Sequence, residues 1–562
     1  MNYRIISALL GMVAVILGVC MFLCLPWGLP AFGGGDSEIR GAVGLLLGGG
    51  LSILLGAVFI LLGRGADEGR LFRKEAFVIV SLSWIMAIVL GATPYLFSKT
   101  ERAEGVRMSF CDAIFESASG LTTTGATVIS ELENPDTLPR TILFWRATTH
   151  FLGGLGVICF FVVLLGQGFN GKAILKIEHS VSGNLPAAQM RTLATYLFRI
   201  YVLLNILCCV LLLICGMTLY DAISHAFSVI ALGGFSTYND SIAHFSNDPR
   251  TNALAIECVL IFFMIVSGTN YWLIYWALTG QPQKLYHDSE WRCFVGLIFL
   301  GVVITTSFGL LHGDFRPASI VQHETQTEIE YLGVDGANDD ASTSRTLPRR
   351  PYETIDEDAV RVRFPTALRR SAFQVVSLAT GAGFVTDRYE LWNSTSIAAL
   401  VFLMFIGGCA GSTAGGAKVF RVLFSRKLMS QRLAETFSPN VVRVTRVDGE
   451  NIDKDSLYSA IIYIGVFNLL IFITTILVTS FEPDALWILR GESQVEKVAD
   501  LGAAAISMFA NVGPALGVFG SIENYGGLTE ITKVIFAIAT LLGRLEIWTV
   551  LALLSPNFWR NR

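Results

Sequence analysis

Apolar residues along the chain gather into runs of about 20, the length a helix needs to cross a hydrocarbon core of about 30 Å. Such runs fall at 5–25, 42–63, 75–97, 141–167, 193–217, 252–279, 292–312, 394–424, 456–480 and 528–553, predicting ten transmembrane helices. The first is preceded by Arg4, but it lacks a small-residue cleavage site before Trp27 and another span comes at once, so it reads as a retained helix. An even number of crossings puts both ends on one side. The connectors Arg64–Lys74, Lys172–Arg191 and Lys418–Lys454 are basic, whereas 482–523 carries Glu482, Asp484, Glu492, Glu496, Asp500 and Glu523. The excess of Lys and Arg marks the cytoplasmic side, so both termini are expected there.

Four further stretches are apolar but too short to cross: 109–128, 219–237, 368–384 and 498–517. Segments of this length are re-entrant more often than spanning. Each runs into a Gly- or Thr-containing turn, reading GLTTTGATV, ALGGFSTYN, ATGAGFVTD and NVGPALGVF. Aligning them places Gly125, Gly234, Gly383 and Gly513 at one position, with spacings of 109, 149 and 130 residues. The long middle interval holds a polar insertion, His312 to Arg363, and without it the period returns to roughly 100 residues. The pattern predicts an all-α polytopic membrane protein with four helix–pore-loop–helix repeats around a central pore and two extra N-terminal helices. The expected division is 1–68, 69–190, 191–290, 291–454 with its insertion at about 312–366, and 455–562. The helix after each loop carries small residues in Gly153-Gly154, Ser267-Gly268, Gly407-Gly408 and Gly543-Arg544, which let backbones approach closely. In the last copy the second small residue is an arginine.

Composition agrees with a membrane protein, at 53% hydrophobic and only 15% charged, and excludes a soluble enzyme with one anchor. Net charge is −4 without a basic stripe, so no nucleic-acid partner is expected. Of the ten cysteines, nine lie in apolar runs without zinc spacing and read as small buried hydrophobes. His150 and His225 lie near the loops and read as packed or hydrogen-bonded. Residues 166–172 match GxxxxGK, yet Ala173 replaces the required Ser or Thr and no strand precedes them. The insertion around DGANDDASTSRT reads as a solvated outer loop.

Non-helical backbone at membrane depth is tolerated where it is buried in protein or lines a water-filled path. Glycines in four such loops can aim carbonyls at one axis, replacing the hydration shell of a cation. Threonine hydroxyls at Thr122, Thr123 and Thr124 can add ligands or brace the loop. The alternatives are a carrier with alternating access, which would show inverted halves, and an intramembrane enzyme, for which no convergent acid, base or metal set is found.

The set TTTGAT, LGGFST, GAGF, NVGP, GCAGSTAGGAK and GRLEIWT resembles the Trk/Ktr/HKT superfamily of potassium transporters, most closely its TrkH-type members, over about residues 70 to 560. The two extra N-terminal helices fit that branch better than the Ktr type, whose sodium-dependent transporters are the alternative. Departures are the insertion and the third loop, where Gly381 and Ala382 stand in place of threonines. The resemblance implies potassium uptake across a bacterial inner membrane, with no covalent cofactor and potassium ions in a filter. It implies a homodimer in lipid, one pore per protomer, with a cytoplasmic TrkA-like nucleotide-binding ring. The filter set is then Thr123, Thr124, Gly125, Gly233, Gly234, Ala382, Gly383, Val512 and Gly513. The glycine-rich stretch with Gly407, Gly408, Gly411, Ser412, Thr413, Gly415 and Gly416 disfavours a helix and predicts a break in a long span, which serves close helix packing or, as the resemblance implies, a gating loop that obstructs the cation path. Lys418 comes just after it as an interfacial anchor or a gating charge. Arg544 is expected near the bilayer midplane, as a positive charge under the filter or as the plain partner of Glu546.

Overall fold

The apolar runs become helices in the computed structural model, which describes residues 2–29, 37–65, 73–166, 187–315, 364–437, 446–488, 490, 491 and 493–560. Residues 167–172 of the GxxxxGK match and nearly all of the insertion lie outside the described residues. Helices α1 (Tyr3–Leu23) and α2 (Glu38–Leu62) come first. Gly11 and Gly18 of α1 meet the backbone of Gly56 and Gly49 of α2, and a Cβ at either would collide with a carbonyl. Small residues at seven-residue spacing on both helices produce this close contact, which bulkier side chains would block. Glu38, 3% exposed, ties the pair to the first repeat by accepting from the N–H groups of Arg140 (2.6 Å) and Thr141 (3.1 Å). The first N–H groups of a helix have no acceptor within the helix, and a carboxylate there also meets the positive end of the dipole.

After α2 the chain passes four times through a helix, a shorter half-helix, a loop and a second helix. The first passage is α3 (Arg73–Phe97), α4 (Phe110–Leu121) and α5 (Arg140–Gly166). The second is α6 (Ala187–Ile214), α7 (Leu219–Ala231), α8 (Ala253–Ser267) and α9 (Tyr271–Leu278). The third is α10 (Ser289–His312), α11 (Phe364–Thr380), α12 (Ser394–Ile406) and α13 (Val419–Phe437). The fourth is α14 (Lys454–Phe481), α15 (Gln494–Ala510), α16 (Glu530–Arg544) and α17 (Ile547–Leu554). Two antiparallel hairpins, Glu101–Ala103 with Val106–Arg107 and Arg446–Val447 with Glu450–Asn451, are the strands among the described residues. Among those residues six helices are long and apolar enough to cross a membrane, eight if each bent pair counts as one.

Three expectations change. The run 252–279 is two helices bent by 106°, and 528–553 is two bent by 117°; both were expected to be continuous. The half-helices α11 and α15 are 17 residues long and start earlier than the short stretches predicted. Cys258 is exposed, while Cys24, Cys208 and Cys409 are buried thiols as expected.

Candidate ion-conduction site

The half-helices α4, α7 and α15 start alike. A hydroxyl accepts from the N–H three residues on, Ser109 from Asp112 (3.0 Å), Thr218 from Asp221 (3.2 Å) and Ser493 from Glu496 (3.4 Å). This satisfies an otherwise orphaned donor and sets where the helix begins.

All four half-helices also end alike. The N–H groups of Thr124, Gly233, Ala382 and Val512 reach back to the carbonyls of Ser119, Ser228, Ser377 and Ser507, at 2.8, 2.9, 2.8 and 3.0 Å. The residues before them, Thr123, Leu232, Gly381 and Asn511, are left-handed (φ 52°, 56°, 79° and 54°) and donate to carbonyls three residues back. These paired bonds form a Schellman closure. Glycine is the usual residue at its left-handed position, yet only the third loop has one, so Thr123 and Leu232 each hold a conformation costing about 1–2 kcal/mol. Two residues on, Gly125, Gly234, Gly383 and Gly513 are left-handed again (φ 84°, 77°, 72° and 100°). A strand of uniform φ sign alternates its carbonyls between faces. Reversing the sign at every second residue brings successive carbonyls to one side. The carboxyl ends of four helices, with their partial negative charge, converge on these loops.

The loops close in a cycle. A Cβ on Gly125 would strike the carbonyl oxygen of Gly233; one on Gly234, that of Ala382; on Gly383, that of Val512; and on Gly513, that of Thr124. Each glycine therefore lies against the residue before the aligned glycine of the next loop, and the fourth returns to the first. Eight of the nine residues expected in the filter make this cycle, and Thr123 is the left-handed residue that precedes it in the first loop. The threonine hydroxyls divide: Thr122 bonds to the Ala118 carbonyl (2.6 Å), and Thr124 accepts from the Asn511 amide of the fourth loop (3.0 Å), so both brace.

The chain leaving each of the first three loops is tied back to its own half-helix by the side chain nine residues before the aligned glycine. Glu116 accepts from Val128 N–H (3.0 Å) and Thr127 Oγ1 (3.1 Å). His225 Nε2 meets Ser236 Oγ at 3.1 Å. The Gln374 amide oxygen accepts from the N–H groups of Thr386 (2.8 Å) and Asp387 (3.1 Å). The fourth loop has Ala504 at this place, and there Tyr525 Oη donates to the Gly513 carbonyl (2.8 Å) instead. Of these struts only His225 was singled out from the sequence, as a packed or hydrogen-bonded side chain; Glu116, Gln374, Tyr525 and the serine six residues before every glycine were not. The serines were legible once the four loops were aligned. Asp112 and Lys533 form a further unforeseen contact, a 2.5 Å ion pair with both side chains no more than 1% exposed.

The expected break at 407–416 is present, with left-handed Gly407, Gly411 and Gly416 and, beyond them, left-handed Lys418. Its backbone interlocks with the break between α8 and α9. Cys409 N–H donates to the Gly268 carbonyl (2.9 Å), Thr413 N–H to Ser267 (3.4 Å), and Tyr271 N–H to Gly411 (3.1 Å). Carbonyls freed by ending one helix are thus satisfied by a loop from another repeat. The loop also touches the half-helices, since Thr413 Oγ1 donates to the Ile230 carbonyl (3.0 Å), and Gly415 leaves no room for a Cβ beside Ala510. Gly408 packs on Ala414, and Ser412 Oγ bonds to the Cys409 carbonyl (2.6 Å).

Arg544 ends α16 and is 6% exposed. It does not pair with Glu546. Its Nη1 donates to the Thr413 carbonyl at 2.6 Å, while Nε and Nη2 meet no partner among the described residues. Glu546, left-handed at the 117° bend, takes Arg421 at 2.5 Å and Lys418 at 3.7 Å. Lys418 is 7% exposed, so the interfacial-anchor reading is replaced by a buried ion pair linking the third and fourth repeats. Among the described residues no group of His, Cys, Asp and Glu is placed to hold a metal ion.

The sequence matches the TrkH family, described as "Cation transport protein", over residues 49–561. It is 32% identical to the Trk system potassium uptake protein TrkH of Salmonella typhimurium over 501 residues, covering 88% of each chain. Identity to the protein of the same name from Escherichia coli K12 is 31%, again over 88% of each. The fold superposes on the crystal structure of the potassium transporter TrkH from Vibrio parahaemolyticus with a TM-score of 0.76, at 27% identity and over 100% of both chains.

Proposed function

The chain belongs to the TrkH family of cation transport proteins, and from that premise we propose that it is the potassium-uptake membrane subunit of a Trk system and that the four-loop ring is its selectivity filter. The observation that carries this reading is the cyclic closure of four loops with one φ signature. Such a ring presents backbone oxygens that replace lost hydration of a cation. Four converging helix carboxyl ends make the site favourable to positive charge without any carboxylate at its centre. Potassium ions are then the transported substrate and occupy the carbonyls of Thr123, Thr124, Gly125, Gly233, Gly234, Ala382, Gly383, Val512 and Gly513.

The glycine-rich break from Gly407 to Gly416, pinned by Arg544, is the gate. Its bonds to the second and fourth repeats hold it across the path, and releasing it opens the path. Glu546 with Lys418 and Arg421 anchors the cytoplasmic end of that assembly. The protein is multi-pass, sits in a bacterial inner membrane with both termini cytoplasmic, and works as a homodimer with a cytoplasmic TrkA-like nucleotide-binding ring. Its four repeats span 69–190, 191–290, 291–454 and 455–562, after two extra helices in 1–68. The test is ion flux into proteoliposomes with K⁺, Rb⁺, Na⁺ and Li⁺, with and without a nucleotide-binding partner. Uptake should favour K⁺ and Rb⁺ and rise with the partner; equal uptake of all four ions would overturn the filter reading.

A further inference from the structure

We infer that Arg146 is a positioning residue for ion selectivity, because its guanidinium ties the strut of the first filter loop to the exit of the second. The inference rests on the filter reading above. Arg146 lies on α5, 2% exposed, opposite a fully buried Glu116. Its Nε donates to Glu116 Oε1 at 2.6 Å, and the same carboxylate holds Val128 N–H and Thr127 Oγ1 just past Gly125. Its Nη1 donates to the carbonyl of Ser236, two residues past Gly234, at 3.1 Å. Between these two anchors the guanidinium covers the ring of Phe235, 3.5 Å from its centroid. One planar fork thus touches two neighbouring loops and the residue immediately after a filter glycine.

His150, four residues along and on the same face of α5, reinforces the second loop. Its ring stacks on Phe235 with centroids 4.1 Å apart, and its Nδ1 meets Ser228 Oγ at 3.2 Å. A Cβ on Gly233 would strike the imidazole, so the ring sets how far the second loop can move back.

At the other joints backbone carbonyls accept from N–H or tyrosine O–H groups, with the Glu390 carboxylate also taking Ser521 Oγ (3.0 Å) and Arg102 donating to the Gly526 carbonyl farther from the glycines. The second and third loops meet through Ile242 N–H and the Val385 carbonyl (3.0 Å), the third and fourth through Tyr389 Oη and the Ala515 carbonyl (2.7 Å), and the fourth and first through Tyr525 N–H and the Thr127 carbonyl (2.8 Å). Among the described residues the buried Asp112–Lys533 pair links α4 to α16 away from the loops, whereas at the first-to-second joint an ion pair reaches the loops themselves. Such a pair contributes little net stability over apolar residues of the same volume, because desolvation offsets the Coulombic gain. What Arg supplies that Lys cannot is a rigid fork reaching two acceptors at fixed separation. Potassium and sodium differ in radius by only a few tenths of an ångström, so the spacing of adjacent carbonyls is what this joint controls.

The test uses two variants of the full chain in proteoliposomes, reading K⁺ and Na⁺ competition against Rb⁺ uptake. Arg146→Lys keeps the buried charges balanced but gives up the second anchor. The double variant Glu116→Gln with Arg146→Met removes both charges, and its glutamine oxygen still accepts from Val128. Both should lose about tenfold in K⁺ preference over Na⁺, the weight of one hydrogen bond from a charged donor, while melting in detergent stays close to wild type. Wild-type preference in both variants overturns the inference, as does failure of both to assemble, which would make the pair structural. Gly383→Ser, measured alongside, separates the two readings. If it lowers the preference while the Arg146 variants do not, only the positioning role falls; if none of the three does, the filter reading falls.

Discussion

Replacing Arg544 by Gln tests the gate with least disturbance of the surroundings. The guanidinium is buried at the end of α16 and makes one charged hydrogen bond, to the Thr413 carbonyl in the middle of the glycine-rich loop. A bond of this kind contributes about 1.5–3 kcal/mol. Glutamine is too short to keep it and carries no charge, so about 2 kcal/mol leaves the pinned state, or about 30-fold in the equilibrium between pinned and released loop. Losing a fixed positive charge from a low-dielectric path also lowers the barrier to a passing cation, with little screening by bulk salt. Basal Rb⁺ uptake by the isolated subunit should therefore rise, up to about 30-fold, and respond less to a regulatory partner. Arg544→Lys keeps the charge and should stay nearer to wild type. Equal impairment by Gln and Lys, with similar losses of thermal stability in detergent, would make Arg544 a structural clamp and refute the reasoning.

Gly234→Ser and Gly383→Ser place a Cβ against the next loop's carbonyl at a left-handed φ; K⁺ preference over Na⁺ should fall more than protein abundance, read by competitive uptake and immunoblot. Deleting Gly411 to Gly415 removes the loop's contacts with Tyr271 and Ala510, so basal flux should rise and partner dependence fall; loss of flux in intact dimer would make the stretch scaffold. Asp112→Asn leaves the buried Lys533 with the half-exposed Glu530 carboxylate, 3.4 Å away, as its remaining ion-pair partner among the described residues, which should destabilise the protein by about 3 kcal/mol, the low end for a broken buried pair, seen as a lower melting temperature. Asp112→Asn with Lys533→Met should recover most of that loss.

Much of the architecture was legible because lipid imposes a length on every crossing, and runs of apolar residues carry that length openly. The four aligned glycines were legible for a different reason: a left-handed position against a neighbouring backbone admits little else. The break at Gly268-Thr269-Asn270 was hidden inside an apolar run, since what sustains it is not local. Carbonyls freed there are satisfied by Cys409 and Thr413 from another repeat. The bend at Glu546 was hidden likewise, because its partners Arg421 and Lys418 lie more than a hundred positions away. Spacing weighed against a pair between Arg544 and Glu546 but left it open, and it could not name Thr413 as the acceptor. Arg146 drew no reading from the sequence, because its partners Glu116 and Ser236 are brought to it only by the fold.

The central claim is that the cyclic ring of loops binds dehydrated potassium. The most direct measurement is anomalous scattering from crystals of the protein grown in Rb⁺, a heavier substitute for K⁺ of similar size. Density on the axis enclosed by the carbonyls of Thr124, Gly233, Ala382 and Val512, displaced by K⁺ but not by Na⁺, is the predicted result. Density confined to other sites, or an equal loss of signal with K⁺ and Na⁺, would contradict the account.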